Sequence, residues 1–329
     1  MIRLNKFEFL SPSSLHEATK FLSSSNGNTK ILAGGTDVIV GMKQGIVQPQ
    51  NILWLGKINE LEQITFSREG GMKIGAMCTL SEIEKNENVQ KYFPSVIDAV
   101  KSIASPQIRN RATIGGNLCL NTRCFYYDQS DFWRNSLGSC LKYGNGICHA
   151  APELSHCTAV FSSDLAPLLI ALDANAELHS SQSILKIPLS RLYNDDGKNH
   201  VSLFQSEILS SVSIPFNEKI KSAHGKIRAR NSIDFAMANV GVAISFNQKN
   251  MCEKANIVVG AVSSSPIIAD NVAQKLVGEN ITEKLIEEVA KEISSLIHPI
   301  PNIDGAVSYR KKMVRVLVKR ALKKIETYQ

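Results

Sequence analysis

No run in the sequence approaches the roughly 18 consecutive apolar residues that a membrane-spanning helix needs, so no membrane span is expected. No RNP-like, zinc-finger or helix-turn-helix pattern is present, and the net charge of +7 is modest for 329 residues. Nucleic acid is therefore not an expected partner. The Rossmann fingerprint G-x-G-x-x-G is missing, so any dinucleotide must be held by another architecture. There is no C-x-x-C knuckle, which argues against a zinc ribbon. No nucleophile–base pair stands out, and no catalytic residue is assigned. Internal repeats and low-complexity linkers are absent as well. The opening Met1-Ile2-Arg3-Leu4-Asn5-Lys6-Phe7-Glu8 brings charge too early for a secretory apolar segment, so a cytoplasmic location is expected.

A hydrophobic content of 43% is ample for a core, and the length suits two to three domains. The first segment alternates helix and strand signals. Ser14-Leu15-His16-Glu17 reads as a capping box opening a helix with Leu15, Ala18 and Leu22 on one face. Lys30–Ala33 and Asn51–Trp54 read as strands, with a helical stretch from about Asp37 between them. That order suits a small parallel α/β unit. Further strands are expected at Met72–Ala76, Leu185–Ile187, Glu207–Leu209, Gly241–Phe246 and Ala255–Gly260. Helical spacing is evident in Val96, Val100 and Ile103, in Leu285, Val289 and Ile293, and in a last helix from about Ser308. The stretch from Cys119 to Cys157 is rich in Gly, Ser and Asn and is expected to be irregular.

Two glycine pairs follow strand or loop signals. Ala33-Gly34-Gly35-Thr36-Asp37 sits between a strand and a helix start, where bare backbone can approach a phosphate. Taken alone it reads first as an ordinary strand-to-helix turn. Thr113-Ile114-Gly115-Gly116-Asn117 supplies a second such loop, and the two could clamp one diphosphate from both sides. A side chain at Gly115 is then expected to intrude where backbone meets phosphate.

These segments carry a family resemblance. Ile31–Asp37 and Ser105–Leu118 resemble the two FAD-diphosphate loops of the medium subunit of the xanthine dehydrogenase and carbon monoxide dehydrogenase family. Ser163-Asp164-Leu165-Ala166-Pro167 and Lys226, followed by Arg228, Arg230 and Asp234-Phe235-Ala236, resemble two further elements near the nucleotide and the flavin. Tyr309-Arg310-Lys311 is similar to the start of the family's last helix. The resemblance implies an α+β chain with a PCMH-type FAD-binding fold. It would comprise an N-terminal α/β unit over 1–56, a middle mixed-sheet unit over 57–220 and a C-terminal α+β domain over 221–329. FAD contacts would fall on Ile31, Leu32, Ala33, Gly34, Gly35, Thr36, Asp37 and Val38, on Ala104, on Thr113, Ile114, Gly115, Gly116 and Asn117, and on Asp164 and Lys226. His224 stands where many relatives carry a tyrosine.

Five of the seven cysteines lie between Cys119 and Cys157. In a chain without an export signal, such clustering favours metal or redox chemistry over disulfides. Thiolates are soft ligands suited to iron–sulfur clusters or zinc, and both readings stay open from the residues alone. The insertion over about 119–160, with Asn121–Tyr127 and Gly138–Tyr143, resembles that of the medium subunit of 4-hydroxybenzoyl-CoA reductase. That resemblance implies a [4Fe-4S] cluster on Cys124, Cys140, Cys148 and Cys157, with Cys119 left over. Medium subunits of periplasmic aldehyde oxidases are also similar here, though their loop text differs more. His149 and His156 flank these positions as surface or supporting residues. Tyr126, Tyr127, Phe132 and Trp133 would shield a cluster or form the loop's own small core.

The resemblance further implies an electron relay without acid–base chemistry of its own. The substrate would react on a large molybdenum-cofactor subunit, joined to the flavin by a small subunit with two [2Fe-2S] clusters, in a dimer of heterotrimers. Ferredoxin or a similar carrier would deliver electrons inward to molybdenum. Outward flow, as in a xanthine, aldehyde or N-heterocycle dehydrogenase, is the competing expectation. A free-standing flavin protein with a structural zinc loop is the third. The basic residues Arg310, Lys311, Lys312, Arg315, Lys319, Arg320, Lys323 and Lys324 on the last helix read as a solvated face, or as a docking face for an acidic carrier.

Overall fold

The computed structural model describes residues 4–25, 28–144 and 146–327; the first three residues of the leader reading fall outside them. Three sheets follow one another along the chain. The first contains β1 (Glu8–Leu10), β2 (Thr29–Leu32) and β3 (Asn51–Trp54), ordered β1-β3-β2 with both pairings parallel. This is the expected parallel α/β unit. Its helix Leu15–Ser24 is capped by Ser14, whose hydroxyl accepts the Glu17 N–H at 3.2 Å. Glu17 reaches back to the Ser13 N–H at 2.8 Å rather than to that of Ser14, so the expected box closes one residue early. Leu15, Ala18 and Leu22 pack against Leu53, Leu55, Ile58 and Leu61.

The second sheet contains β4 (Ile64–Ser67), β5 (Gly71–Gly75), β6 (Asn175–His179), β7 (Ile184–Pro188) and β8 (Ile208–Ile214). Its order is β4-β5-β8-β6-β7. All four pairings are antiparallel, so the sheet is not the mixed one expected. The reason is local: β4–β5 and β6–β7 are tight hairpins, which can only be antiparallel, and β8 joins them. Helices from residues 80 to 118 cover this sheet and share its core.

The third sheet, ordered β12-β11-β10-β9, contains β9 (Ile220–Ile227), β10 (Ala238–Phe246), β11 (Cys252–Gly260) and β12 (Ile267–Ile268). Every residue of β10 is buried. Helices Glu283–Leu296 and Val307–Glu326 pack with it through one core, and the short helix Ala166–Ala171 of the middle unit approaches as well. Close approach of that short helix requires bare backbone: a Cβ at Gly241 would stand 2.3 Å from the Leu168 Cα. These parallel, antiparallel and helical layers make the α+β class expected from the sequence.

The last helix buries Val314, Leu317, Val318 and Leu322, as its stripe implied. Its basic face is largely tied down: Arg315 and Lys319 pair with Glu287, Lys323 with Glu283 and Lys324 with Asp98. Arg310 does not belong to that face. It is fully buried and donates to the carbonyls of Met237 (3.0 Å), Ile300 (2.9 Å) and Ala261 (2.7 Å). Burial pushes its pKa down to about 10, which leaves it charged at neutral pH. Arg310→Met would strand three carbonyls. It is expected to cost about 3 kcal/mol in urea unfolding, and an unchanged midpoint would remove the clamp role.

Candidate functional site

The cavity is built at the junction of the three units. It has a volume of about 1050 Å³, at the upper end of ordinary ligand sites. Residues 33–38 of the first unit line it, with Ile31. So do Ala104, Thr113, Gly115, Gly116 and Asn117 of the second, and Asp164. Leu32, Ile114 and Lys226 do not. Ile114 is buried in the middle core, and Lys226 lies behind the wall.

The two glycine segments touch one another through backbone. A Cβ at Gly34 would stand 1.7 Å from the Arg111 carbonyl oxygen. Gly35 adopts φ +80, a left-handed conformation natural to glycine. The second pair is not a loop but lies within the short helix Ile114–Leu118, capped by Thr113, whose hydroxyl accepts the Gly116 N–H at 3.1 Å. The expected consequence at Gly115 needs correcting. A Cβ there would meet the Ala76 carbonyl oxygen at 2.8 Å, so an added side chain would point into the seat of the helix beyond the end of β5 rather than into the cavity that Gly115 also lines. Gly116 meets only the Thr113 hydroxyl at 3.1 Å.

Asp164 and Lys226 are brought together. Lys226 Nζ donates to Asp164 Oδ2 at 2.7 Å and to the Ser102 carbonyl at 3.1 Å, with both charged side chains about 95% buried or more. Burial pushes the Asp164 pKa up, while Lys226 and Asn239 oppose it. Asn239 Nδ2 donates to the Ser163 carbonyl (3.0 Å) and Asp164 Oδ1 (3.3 Å). Ser163 Oγ in turn donates to Asn117 Oδ1 at 2.7 Å. A polar chain thus runs from the second glycine segment to β10.

Nearby backbone is strained. Ala104 (φ 44) and Ile233 (φ 47) are both left-handed, and the Ile233 N–H donates to the Ala104 carbonyl at 3.3 Å. Such conformations cost about 1–3 kcal/mol each and gather at ligand sites. Ser162 Oγ, His200 Nε2 and Arg123 Nε, on residues beside the cavity, are buried without hydrogen-bond partners. These orphaned groups fit a wall built for a polar ligand.

The cysteine loop borders the cavity through Cys119, Cys124, Arg123, Phe125 and Asp128. It is irregular except for the helix Asp131–Leu137. All seven cysteines are free thiols. Burial pushes Cys124 up to about 12, with the charges of Cys157 and Cys148 adding to the shift. Cys157 is raised chiefly by burial, and Lys142 opposes it. Its sulfur accepts the Ala159 N–H at 3.5 Å. Cys124, Cys148 and Cys157 therefore lie near one another. Among the described residues, however, no three Cys, His, Asp or Glu side chains stand in metal-holding geometry. Within the loop Tyr126 and Trp133 lie 6.3 Å apart, and Arg134 stacks on Tyr143 (4.4 Å) and Tyr127 (5.7 Å), while Phe132 is 82% exposed. His149 is half-buried, its ring 5.6 Å from that of Tyr126 and its Nε2 3.1 Å from the Gly138 carbonyl.

Residues 5–217 match the family of the FAD binding domain in molybdopterin dehydrogenase. The chain belongs to that family. Residues 223–325 match the CO dehydrogenase flavoprotein C-terminal domain. The chain is 27% identical over 320 residues to the glyceraldehyde dehydrogenase medium chain of Sulfolobus acidocaldarius, covering 97% of this chain and 98% of that one. It is 30% identical over 224 residues to the Escherichia coli aldehyde oxidoreductase FAD-binding subunit PaoB, covering 65% and 70%. The carbon monoxide dehydrogenase structure from Hydrogenophaga pseudoflava shares the fold, with TM-score 0.81 at 23% identity over 99% of both chains. The chain is a medium, flavoprotein subunit of the molybdenum hydroxylase type. Among the described residues no helix is long and apolar enough to cross a membrane.

Sequence reasoning passed over Arg123, which appeared only as text flanking Cys124, and over Asn239, Ser162 and His200. Arg123 and Asn239 depend on contacts across 75 or more residues, such as Asn239 with Asp164, and Ser162 and His200 on burial beside the cavity, none of which a local pattern carries.

Two expectations follow. Gly34→Val should lower the melting temperature sharply, because it drives the units apart, whereas Gly116→Val should lower bound flavin with little thermal penalty. Equal thermal losses would refute this division. The second concerns pH. Burial, reinforced by Lys226, pushes His224 down to about 3, and burial with Lys142 pushes His200 down to about 4. Both are neutral when folded, while the unfolded chain titrates near ~6.5. The unfolded state then binds more protons below that value, so stability is full above it and is lost as pH falls toward the folded values. Melting scans from pH 7 to 5 should show this decline, with a shallower slope in His224→Gln.

Proposed function

We propose that this chain holds FAD in the junction cavity and relays electrons between an outside carrier and a molybdenum subunit. The observation that carries the reading is the convergence of two glycine segments from separate units on one large cavity, with Asp164 beside them. The diphosphate would lie against Gly35 and Gly116, with residues 33–38, Ala104, Thr113 and Asn117 around it. Leu32, Ile114 and Lys226 would act from behind, by fixing the wall. FAD supplies a centre that takes two electrons and gives them up singly. The residues of this chain bind it, orient it and exclude water. The three units would divide at 56/57 and 220/221.

The finer reading is a complex like 4-hydroxybenzoyl-CoA reductase, with inward flow from a ferredoxin-like carrier and reductive dehydroxylation of an aromatic acyl-CoA. Its partners would be a large molybdenum-cofactor subunit and a small subunit with two [2Fe-2S] clusters, in a dimer of heterotrimers in the cytoplasm. Cys124, Cys140, Cys148 and Cys157 would hold a [4Fe-4S] cluster. That part rests on the soft donor set and the N–H···S bond at Cys157, not on a formed geometry. Outward flow is the second reading, favoured by relatives named as dehydrogenases of glyceraldehyde, xanthine and carbon monoxide.

Anaerobic purification with iron, sulfide, zinc and flavin analysis tests the binding claims. About four iron and four sulfide per chain are expected, lost in each Ser variant of the four cysteines but not in Cys119→Ser, with flavin retained throughout. Zinc alone, or an iron-free chain after anaerobic reconstitution, would remove the cluster from the proposal.

A further inference from the structure

The cavity poses an electrostatic problem for an anionic occupant. Its lining carries six carboxylates (Asp37, Asp128, Asp164, Glu207, Asp234 and Asp304) against three cations (Lys30, Arg123 and Lys198). Asp164 is neutralised by Lys226 and Asp234 lies 3.7 Å from Arg230. Asp37 is different, because it stands two residues beyond Gly35 in the segment that would cradle a diphosphate. It opens the helix Val38–Lys43 yet makes no side-chain cap. Its carboxylate pairs instead with Arg123, which comes from the cysteine loop 86 residues away.

Arg123 is held for this purpose from every side. Its backbone N–H and carbonyl both pair with Val160 at 2.7 Å. The guanidinium lies 4.7 Å from the Phe235 ring centroid, and its second arm is 3.9 Å from Asp128. Its Nε is buried and without a partner, although the residue lines the cavity. A charge so fixed, with a donor left over, suits a role toward something that enters.

We infer that Arg123 is a positioning residue that makes an acidic cavity able to accept a dinucleotide diphosphate, by neutralising Asp37. The inference rests on the reading of the cavity as the FAD site. Without Arg123, the Asp37 carboxylate would face the phosphates unpaired, and like charges repel strongly where water is partly excluded. The cysteine loop thereby contributes to nucleotide affinity whether or not it carries a metal.

The test measures FAD dissociation constants on the purified full chain, by flavin fluorescence at low and high salt. Arg123→Gln should weaken FAD on the order of tenfold at low salt, and the loss should shrink as salt screens the repulsion. The double variant Arg123→Gln, Asp37→Asn should regain most of the lost affinity, which a purely structural role for Arg123 would not allow. Arg123→Lys keeps the charge but not the fork or the stacking, and should stay within about threefold of the parent. Failure of the double variant to bind better than Arg123→Gln, or a loss in Arg123→Lys as large as in Arg123→Gln, would overturn the inference while the FAD reading stands. A parent chain that does not bind FAD would overturn both.

Discussion

The buried ion pair between Asp164 and Lys226 is the constraint around which the molecule is arranged. Two charges withdrawn from water cost several kcal/mol each unless their remaining hydrogen-bonding capacity is filled. Here it is filled from two directions, and the network extends along a third. Asn239 of β10 serves the carboxylate, the Ser102 carbonyl serves the ammonium, and Ser163 carries the connection to Asn117. Arg228 also donates to the Ser102 carbonyl, at 2.7 Å. The pair can be satisfied only if β9, β10 and the turn before Ala104 are all in place, and Ser163 ties that arrangement to the helix capped by Thr113. Satisfying two charges therefore positions the second and third units around one cavity, and left-handed Ala104 marks where the backbone bends to comply.

The cysteine loop solves a related problem without a large hydrophobic core. Arg134 is buried between tyrosine rings, and Lys142 donates to Asn121, Thr122 and the Gly197 carbonyl. Gly197 also gives its N–H to the Cys157 carbonyl at 2.7 Å. The residues that follow, 198–201, line the cavity. One short strap thus touches the thiol region with one end and the proposed nucleotide site with the other. Proximity of the two sites follows from backbone hydrogen bonding, not from sequence adjacency alone.

Much of this was legible beforehand where the physics is local. The parallel first unit, the capped first helix, and strands β10 and β11 and the two long helices of the third unit announce themselves by period and capping residues, whereas β9 was not foreseen. The hairpin β4–β5 was half missed, because Ile64–Ser67 is a short, partly exposed edge whose alternation spans only four residues. The helical state of Gly115 and Gly116 was missed because two glycines argue against helix, and a threonine cap with a tight seat on Ala76 outweighs that tendency. Charge partners were the least visible. The sequence marks Asp164 and Lys226 separately by family likeness, but their meeting, like that of Asp37 and Arg123, is a property of topology.

The contact between Gly34 and Arg111 carries a consequence for how this protein can change. What Gly34 meets is a carbonyl oxygen, an atom every amino acid possesses. Position 111 is therefore free, as far as this contact goes, to hold any residue, while position 34 tolerates none with a side chain. The constraint is one-sided, so drift at position 111 cannot compensate a change at position 34. A seam made of bare backbone in this way keeps its shape while the side chains around it vary. That property suits a scaffold whose cavity must keep one geometry while the text of its loops is rewritten.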